Sequence, residues 1–154
     1  MFYGKYLFSC VFIDDAVLPE YKGSTFRGVL GHSLKKVVCA LKRQECSQCL
    51  LRTSCVYACF FEPESYFRDM VLKGGIKAPP HPYVIEVPEG TRRHYKKGDT
   101  FDFEIILFGD ANKYLPHLIY AFNEMGRSGI GKKTGPKRSS FQLEHVTASG
   151  ETVY

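Results

Sequence analysis

The chain of 154 residues contains no tryptophan and has no long hydrophobic run. Its longest apolar stretches, Tyr6 to Ile13 and Ile105 to Phe108, fall far short of the roughly 20 residues a helix needs to cross a bilayer, which excludes a helical membrane span. The first stretch closes at Asp14-Asp15 without a small-residue cleavage site, so no signal peptide is expected and the chain is expected to stay in the cytoplasm. Acidic residues are the minority: 16 Asp and Glu against 21 Lys and Arg leave a net charge of +5, which favours an anionic partner. Internal repeats and low-complexity tracts are also lacking. What is present suits one ordinary domain with a real core, since hydrophobic residues make up 44% of the chain. The aromatics are 12 Phe and 10 Tyr, which favour sheet. In a reducing cytoplasm the 6 cysteines read as thiols or metal ligands before disulfides.

Periodicity orders the chain. Lys5 to Ile13 places Leu7, Val11 and Ile13 on one face and Tyr6, Phe8 and Phe12 on the other, both largely apolar, which predicts a central strand. After a turn at Leu18-Pro19-Glu20, Ser24 or Thr25 is placed to cap a helix with apolar residues at Phe26, Val29, Leu30, Leu34, Val37, Val38 and Leu41. Its opposite side gathers His32, Lys35, Lys36 and Cys39. Cys39 to Cys59 breaks the pattern and ends in a strand-like run, Val56 to Phe61. Glu62 to Pro82 reads as an inserted loop with a turn or two of helix.

Strand signals return at Tyr83 to Val87 and at Thr100 to Phe108, where Phe101, Phe103, Ile105 and Leu107 alternate with Asp102 and Glu104. A second helix is expected from about Ala111, capped by Asp110 or Asn112, with Pro116 near its first turn and Gly126 as its stop. Its apolar face carries Leu115, Leu118, Ile119, Phe122 and Met125. A glycine-rich basic loop, Gly126 to Ser140, then leads to a strand, Phe141 to Val146, with Phe141, Leu143 and His145 on one face. The expected fold class is therefore α+β, ferredoxin-like (RRM-like, β-α-β-β-α-β): an antiparallel sheet with two helices on one face, plus a Cys-rich insertion at about 39–59.

Three constellations can carry chemistry. In the loop, glycines such as Gly129 and Gly131 let backbone amides approach a ligand, and Arg127, Lys132, Lys133, Lys137 and Arg138 supply positive charge suited to phosphates. Gly126 to Lys132 satisfies Gly-x4-Gly-Lys, but Lys133 stands where Ser or Thr should hold magnesium, and the loop runs from helix to strand. A P-loop is excluded on both grounds. On the first helix, Arg27, His32, Lys35 and Lys36 form a basic face where an imidazole beside cations suits proton transfer and a lysine can stabilise a developing phosphorane; a solvated helix face is the plain alternative. Finally, Cys39, Cys46, Cys49 and Cys55 have spacing suited to structural zinc, with an iron-sulfur cluster, free thiols or a disulfide as alternatives. Cys10 and Cys59 are expected in the core.

Leu18-Pro-Glu-Tyr-Lys-Gly-Ser-Thr-Phe-Arg-Gly-Val-Leu-Gly-His-Ser-Leu-Lys-Lys36, Cys46-Ser-Gln-Cys-Leu-Leu-Arg-Thr-Ser-Cys-Val-Tyr57 and Gly129-Ile-Gly-Lys-Lys133 together resemble the RAMP superfamily. More narrowly, they resemble the N-terminal half of CRISPR-associated endoribonucleases that cut precursor CRISPR RNA within its repeats. The resemblance implies CRISPR repeat RNA as ligand, the glycine-rich loop as an RNA contact, and other CRISPR-associated proteins or a second RAMP domain as partners. It also implies cleavage without a catalytic metal, by attack of a ribose 2′-hydroxyl on the adjacent phosphate. His32 is the implied acid or base, helped by Lys35, Lys36 or Tyr21, in keeping with a sequence that lacks the carboxylate cluster of a two-metal nuclease. The resembled enzymes carry two such domains in tandem and this chain accommodates one, so RNA binding without cutting, as in a crRNA-binding subunit of an effector complex, is the alternative.

Overall fold

A computed structural model of the protein describes residues 2–42, 44–75, 77–87 and 90–154. Arg43 in the cysteine segment and Ile76 in the loop that follows lie outside them. In chain order the elements are β1 (Tyr3–Phe12), β2 (Ala16–Val17), α1 (Gly23–Val38), α2 (Val56–Phe61), α3 (Pro63–Tyr66), α4 (Arg68–Leu72), β3 (Tyr83–Glu86), β4 (His94–Tyr95) and β5 (Thr100–Phe108). They continue with α5 (Leu115–Ser128), β6 (Ile130–Thr134), β7 (Lys137–Ser139), β8 (Phe141–Ala148) and β9 (Glu151–Thr152). The main sheet has the order β3-β5-β1-β8-β9, antiparallel throughout, while β2 pairs with β4 and β6 with β7.

Strand β1 is central, as its apolar character predicts: Tyr3 faces Phe108 through to Val11 facing Thr100 on one side, and β8 lies on the other. Its two faces differ, however. Phe8, Cys10 and Phe12 are buried, whereas Leu7 and Val11 are only partly covered and Ile13, just past the strand, is exposed. The helices cover one face only, so the apolar residues on the other face stay near solvent.

A cluster of phenylalanines joins the sheet to both long helices. The Phe103 ring lies 5.2 Å from Phe8, 5.2 Å from Phe26 of α1 and 4.8 Å from Phe122 of α5, centroid to centroid. Aromatic pairs at these separations add to the gain from burial. Phe26, Leu30 and Leu34 form the buried stripe of α1, and Leu118, Ala121, Phe122 and Met125 that of α5.

Several local expectations are corrected. Val56 to Phe61 is helix α2, not strand; Val56, Ala58, Cys59 and Phe60 are buried, and the Phe61 ring lies against Gly31 of α1. Six apolar residues have no period that separates a short strand from a buried helical turn, and packing on α1 decides. Helix α1 starts after Lys22 with no side-chain cap from Ser24 or Thr25. Asp110 and Asn112 do not cap α5: residues Gly109–Tyr114 form a 3-10 turn, and the Asn112 amide donates to the Leu107 and Gly109 carbonyls. In β8, His145 is exposed and Val146 buried. The pairing with β1 shifts between Ser9 and Cys10, which face His145 and Leu143, so one extra residue moves His145 off the core face.

Gly126 does not stop α5, which continues to Ser128. A Cβ at Gly126 would lie 2.2 Å from the Phe141 carbonyl oxygen, so the glycine is what lets α5 seat against β8. Gly126→Ala is expected to cost about 1–3 kcal/mol through overpacking, read as a fall in thermal midpoint. An unchanged midpoint would contradict this seating.

Candidate nucleic-acid interface

The glycine-rich segment is a hairpin rather than a loop, formed by β6 and β7. Helix α5 ends at Gly129 (φ +84°), whose amide donates to the Met125 carbonyl at 2.9 Å. A side chain at Gly129 would press on the Arg138 backbone at 2.7 Å, and one at Gly131 (φ +79°) would meet the Val17 carbonyl at 2.4 Å. The two glycines therefore let the hairpin close on itself and lie against β2. Ile130 and Ser139 face inward; Lys132, Lys133, Lys137 and Arg138 are exposed. The Arg138 guanidinium donates across the hairpin to the Gly131 carbonyl at 2.8 Å, which keeps its fork beside the lysines.

The segment Thr91 to Lys97, assigned to no site from the sequence, is a second basic element. Arg92, Arg93, His94, Lys96 and Lys97 are exposed. His94 and Tyr95 pair with Val17 and Ala16, so this segment and the hairpin both lie against β2. Arg92 is already engaged, bonding the Asp99 carboxylate at 2.5 Å and lying 4.4 Å from the centre of the Tyr95 ring. The signal was the run Arg92-Arg-His-Tyr-Lys-Lys97, which is hard to recognise because a charge run between strands resembles any solvated turn.

On α1, His32, Lys35, Lys36 and Cys39 line one shallow depression of about 240 Å³ together with Lys42. His32 is exposed, as its helical face predicts. The Lys35 ammonium lies 5.1 Å from the centre of the Tyr57 ring, and that of Lys36 lies 3.8 Å from the Glu124 carboxylate, which also pairs with Arg127. Tyr21, 82% exposed, is not brought to this group. It precedes α1, and the helix from Gly23 to His32 separates them by roughly 14 Å along the axis. Arg27 places its guanidinium 5.4 Å from the centre of the Tyr83 ring. Burial pushes the Tyr83 phenol up to about 12, against the opposing effect of Arg27.

Cys39 ends α1, Cys46 opens a 3-10 turn closed by the Cys49 amide donating to the Cys46 carbonyl at 3.2 Å, and Cys55 precedes α2. Cys39, Cys49 and Cys55 line a common depression with His117, and all four thiols of the set are half-buried. Burial raises the Cys46 thiol above its ordinary value, with Lys35 opposing. Among the described residues, however, no three His, Cys, Asp or Glu side chains are gathered closely enough to hold a metal ion. Cys10 and Cys59 lie in the core as expected; burial raises both thiols, Cys59 to about 11.

Fold and surface together define an α+β domain whose antiparallel sheet packs both long helices on one side and which carries a basic hairpin. The chain belongs to the family described as the AF_1859 N-terminal domain (AF_1859_N), whose model matches residues 1–154. It is 32% identical over 139 residues to an uncharacterized protein of Archaeoglobus fulgidus, an alignment covering 89% of this chain and 44% of that protein. The chain thus spans less than half the length of this relative. Among solved structures, a chain of the Csm3-Csm4 subcomplex in the type III-A CRISPR-Cas interference complex has a similar fold, with a TM-score of 0.55 at 10% identity over 95% of this chain and 78% of that chain. A chain of a Cas6 product complex aligns with a TM-score of 0.47 at 16% identity, over 96% of this chain and 41% of that one. No helix among the described residues is long and apolar enough to cross a membrane.

Proposed function

We propose that this chain is the RNA-binding domain of a CRISPR-associated endoribonuclease that processes precursor CRISPR RNA within its repeats. The observation that carries the reading is the hairpin, whose glycine-held backbone presents Lys132, Lys133, Lys137 and Arg138 to solvent. Phosphates are the natural ligand of such a surface. The strand sequence β3-β5-β1-β8 supports reading the domain as the split β-α-β, ferredoxin-like plan of the RAMP superfamily. The fold likeness to the Csm3-Csm4 chain agrees with that reading.

In the proposed chemistry the His32 imidazole takes the proton of a ribose 2′-hydroxyl, whose oxygen then attacks the adjacent phosphorus. The bond from phosphorus to the 5′-oxygen breaks, and that oxygen leaves as a hydroxyl by taking a proton from solvent, to which His32 returns the one it took, with a 2′,3′-cyclic phosphate on the other fragment. Lys35 or Lys36, on the same depression as His32, stabilises the negative charge that develops on the non-bridging phosphate oxygens. The test is incubation of the intact protein, including any further domain encoded with it, with CRISPR repeat RNA in EDTA. A cyclic-phosphate product is expected, and its absence removes the catalytic part of the reading.

A second reading, a non-catalytic crRNA-binding subunit of a CRISPR effector complex, is favoured by the engagement of both lysines: Lys35 lies over Tyr57 and Lys36 beside Glu124. It predicts salt-dependent RNA binding without cutting.

The cysteine segment enters the proposal as a staple: Cys39, Cys46, Cys49 and Cys55 are the residues that would hold zinc, which would tie the end of α1 to the start of α2. The iron-sulfur cluster is the second assignment. Elemental analysis after anaerobic purification is expected to find stoichiometric zinc; absence of both zinc and iron would leave the four residues as thiols or a disulfide.

A further inference from the structure

We propose that the segment Arg93 to Lys97 and the hairpin form one continuous binding surface for the phosphate backbone of an RNA strand, held in register by the Asp14-Asp15 turn. The inference rests on the RNA reading above and assigns that function a set of residues far from the hairpin in sequence. The turn between β1 and β2 is what connects them. On one side the Asp15 carboxylate accepts the Lys97 amide at 2.8 Å; on the other the Asp14 carboxylate accepts the Ser140 amide at 3.1 Å, and the Asp15 carbonyl accepts the Ser139 hydroxyl at 2.6 Å. Strand β2 continues the connection, with the Leu18 amide donating to the Arg93 carbonyl at 2.8 Å on one edge and the Val17 carbonyl against Gly131 on the other. The two aspartates are thus engaged by backbone amides at the seam, leaving Arg93, Lys96, Lys97, Lys132, Lys133 and Lys137 as exposed cations on either side of it.

The uncovered face of the main sheet is the rival surface, because a sheet of this plan can stack RNA bases. Here that face carries Glu86, Asp102, Glu104 and Glu144, and its lysine, Lys5, is already paired with Glu86 at 3.3 Å and Glu104 at 2.5 Å. A phosphate backbone laid there would meet carboxylates. The β2 seam has carboxylates too, Asp14, Asp15 and Asp99, but they are outnumbered there by the exposed cations Arg92, Arg93, Lys96, Lys97, Lys132, Lys133 and Lys137.

The experiment measures binding of labelled CRISPR repeat RNA to the full protein across a salt series. Three variants are compared with the parent: Arg93→Gln/Lys96→Gln/Lys97→Gln, Lys132→Gln/Lys133→Gln, and Lys5→Gln on the sheet. All the altered side chains are exposed, and an unchanged thermal midpoint verifies the fold. The inference expects the triple variant to weaken binding at low salt by about tenfold or more and to flatten the salt slope by about 0.7 for each phosphate that is no longer neutralised, with Lys5→Gln unchanged. If the hairpin variant shows a flatter slope while the triple variant keeps the parental slope, the inference is overturned and the RNA reading stands. If the parent itself shows no salt-dependent RNA binding, the RNA reading fails and the inference with it. Weakening confined to Lys5→Gln would move the strand to the sheet and overturn the seam.

Discussion

His32→Ala is expected to lower cleavage of repeat RNA by about 10²–10⁴-fold while leaving RNA affinity and thermal stability close to those of the parent. The size follows from the role: a positioned acid or base contributes that factor, and an exposed imidazole contributes little to folding. Affinity is expected to persist because the phosphates are held by the hairpin cations, none of which lines the His32 depression. The companion variant Tyr21→Phe is expected to leave the rate little changed, since α1 places that phenol roughly 14 Å away along its axis. Cleavage and cyclic-phosphate formation are read by electrophoresis in EDTA. Cleavage at the parental rate by His32→Ala would move catalysis elsewhere in the enzyme, and equal losses in both variants would indicate a site nearer the start of α1.

Phe103→Ala is expected to cost about 3–5 kcal/mol, a large part of the roughly 5–15 kcal/mol that holds an ordinary domain together. Phe103, on β5, is 2% exposed and packs against β1, α1 and α5 through Phe8, Phe26 and Phe122. Removing its ring opens a cavity among neighbours that are themselves fully buried, so little collapse can repair it. Urea or thermal unfolding measures the effect. Phe103→Leu, which restores most of the volume, is expected to recover a substantial part of it. A Phe103→Ala cost below about 1 kcal/mol would mean that the helices are held by other contacts.

Much of the framework was legible because it rests on short-range periodicity. Alternation of Phe101, Phe103, Ile105 and Leu107 with polar residues places β5 within the chain, and the stripe of Phe26, Leu30 and Leu34 does the same for α1. Pro116 at the start of α5 is equally local, because a proline without an amide hydrogen fits only the first turn. Features that depend on a neighbour were illegible. Val56 to Phe61 is a helix because α1 offers Gly31 as a seat, and Val146 replaces His145 in the core because of a bulge opposite β1. From sequence, the glycines of residues 126–140 let amides approach a ligand, whereas in the fold Gly129 and Gly131 bring the chain against the backbone of Arg138 and Val17.

The candidate site divides in the same way. Lys132, Lys133, Lys137, Arg138 and His32 are exposed where their local patterns put them, because hairpins and helix faces set exposure over a few residues. Arg93, Lys96 and Lys97 join them only through Asp14 and Asp15, whose hydrogen bonds link stretches far apart in the chain. By itself, the sequence determined the long strands β1 and β5, the long helices α1 and α5 and where positive charge accumulates, since each follows from the residue and its near neighbours. Only the tertiary structure decided that Tyr21 stands apart from His32, that Cys39, Cys49 and Cys55 line one depression, and that two basic segments share one seam. Those outcomes depend on how distant pieces of backbone satisfy one another's hydrogen bonds, and local periodicity contains no information about them.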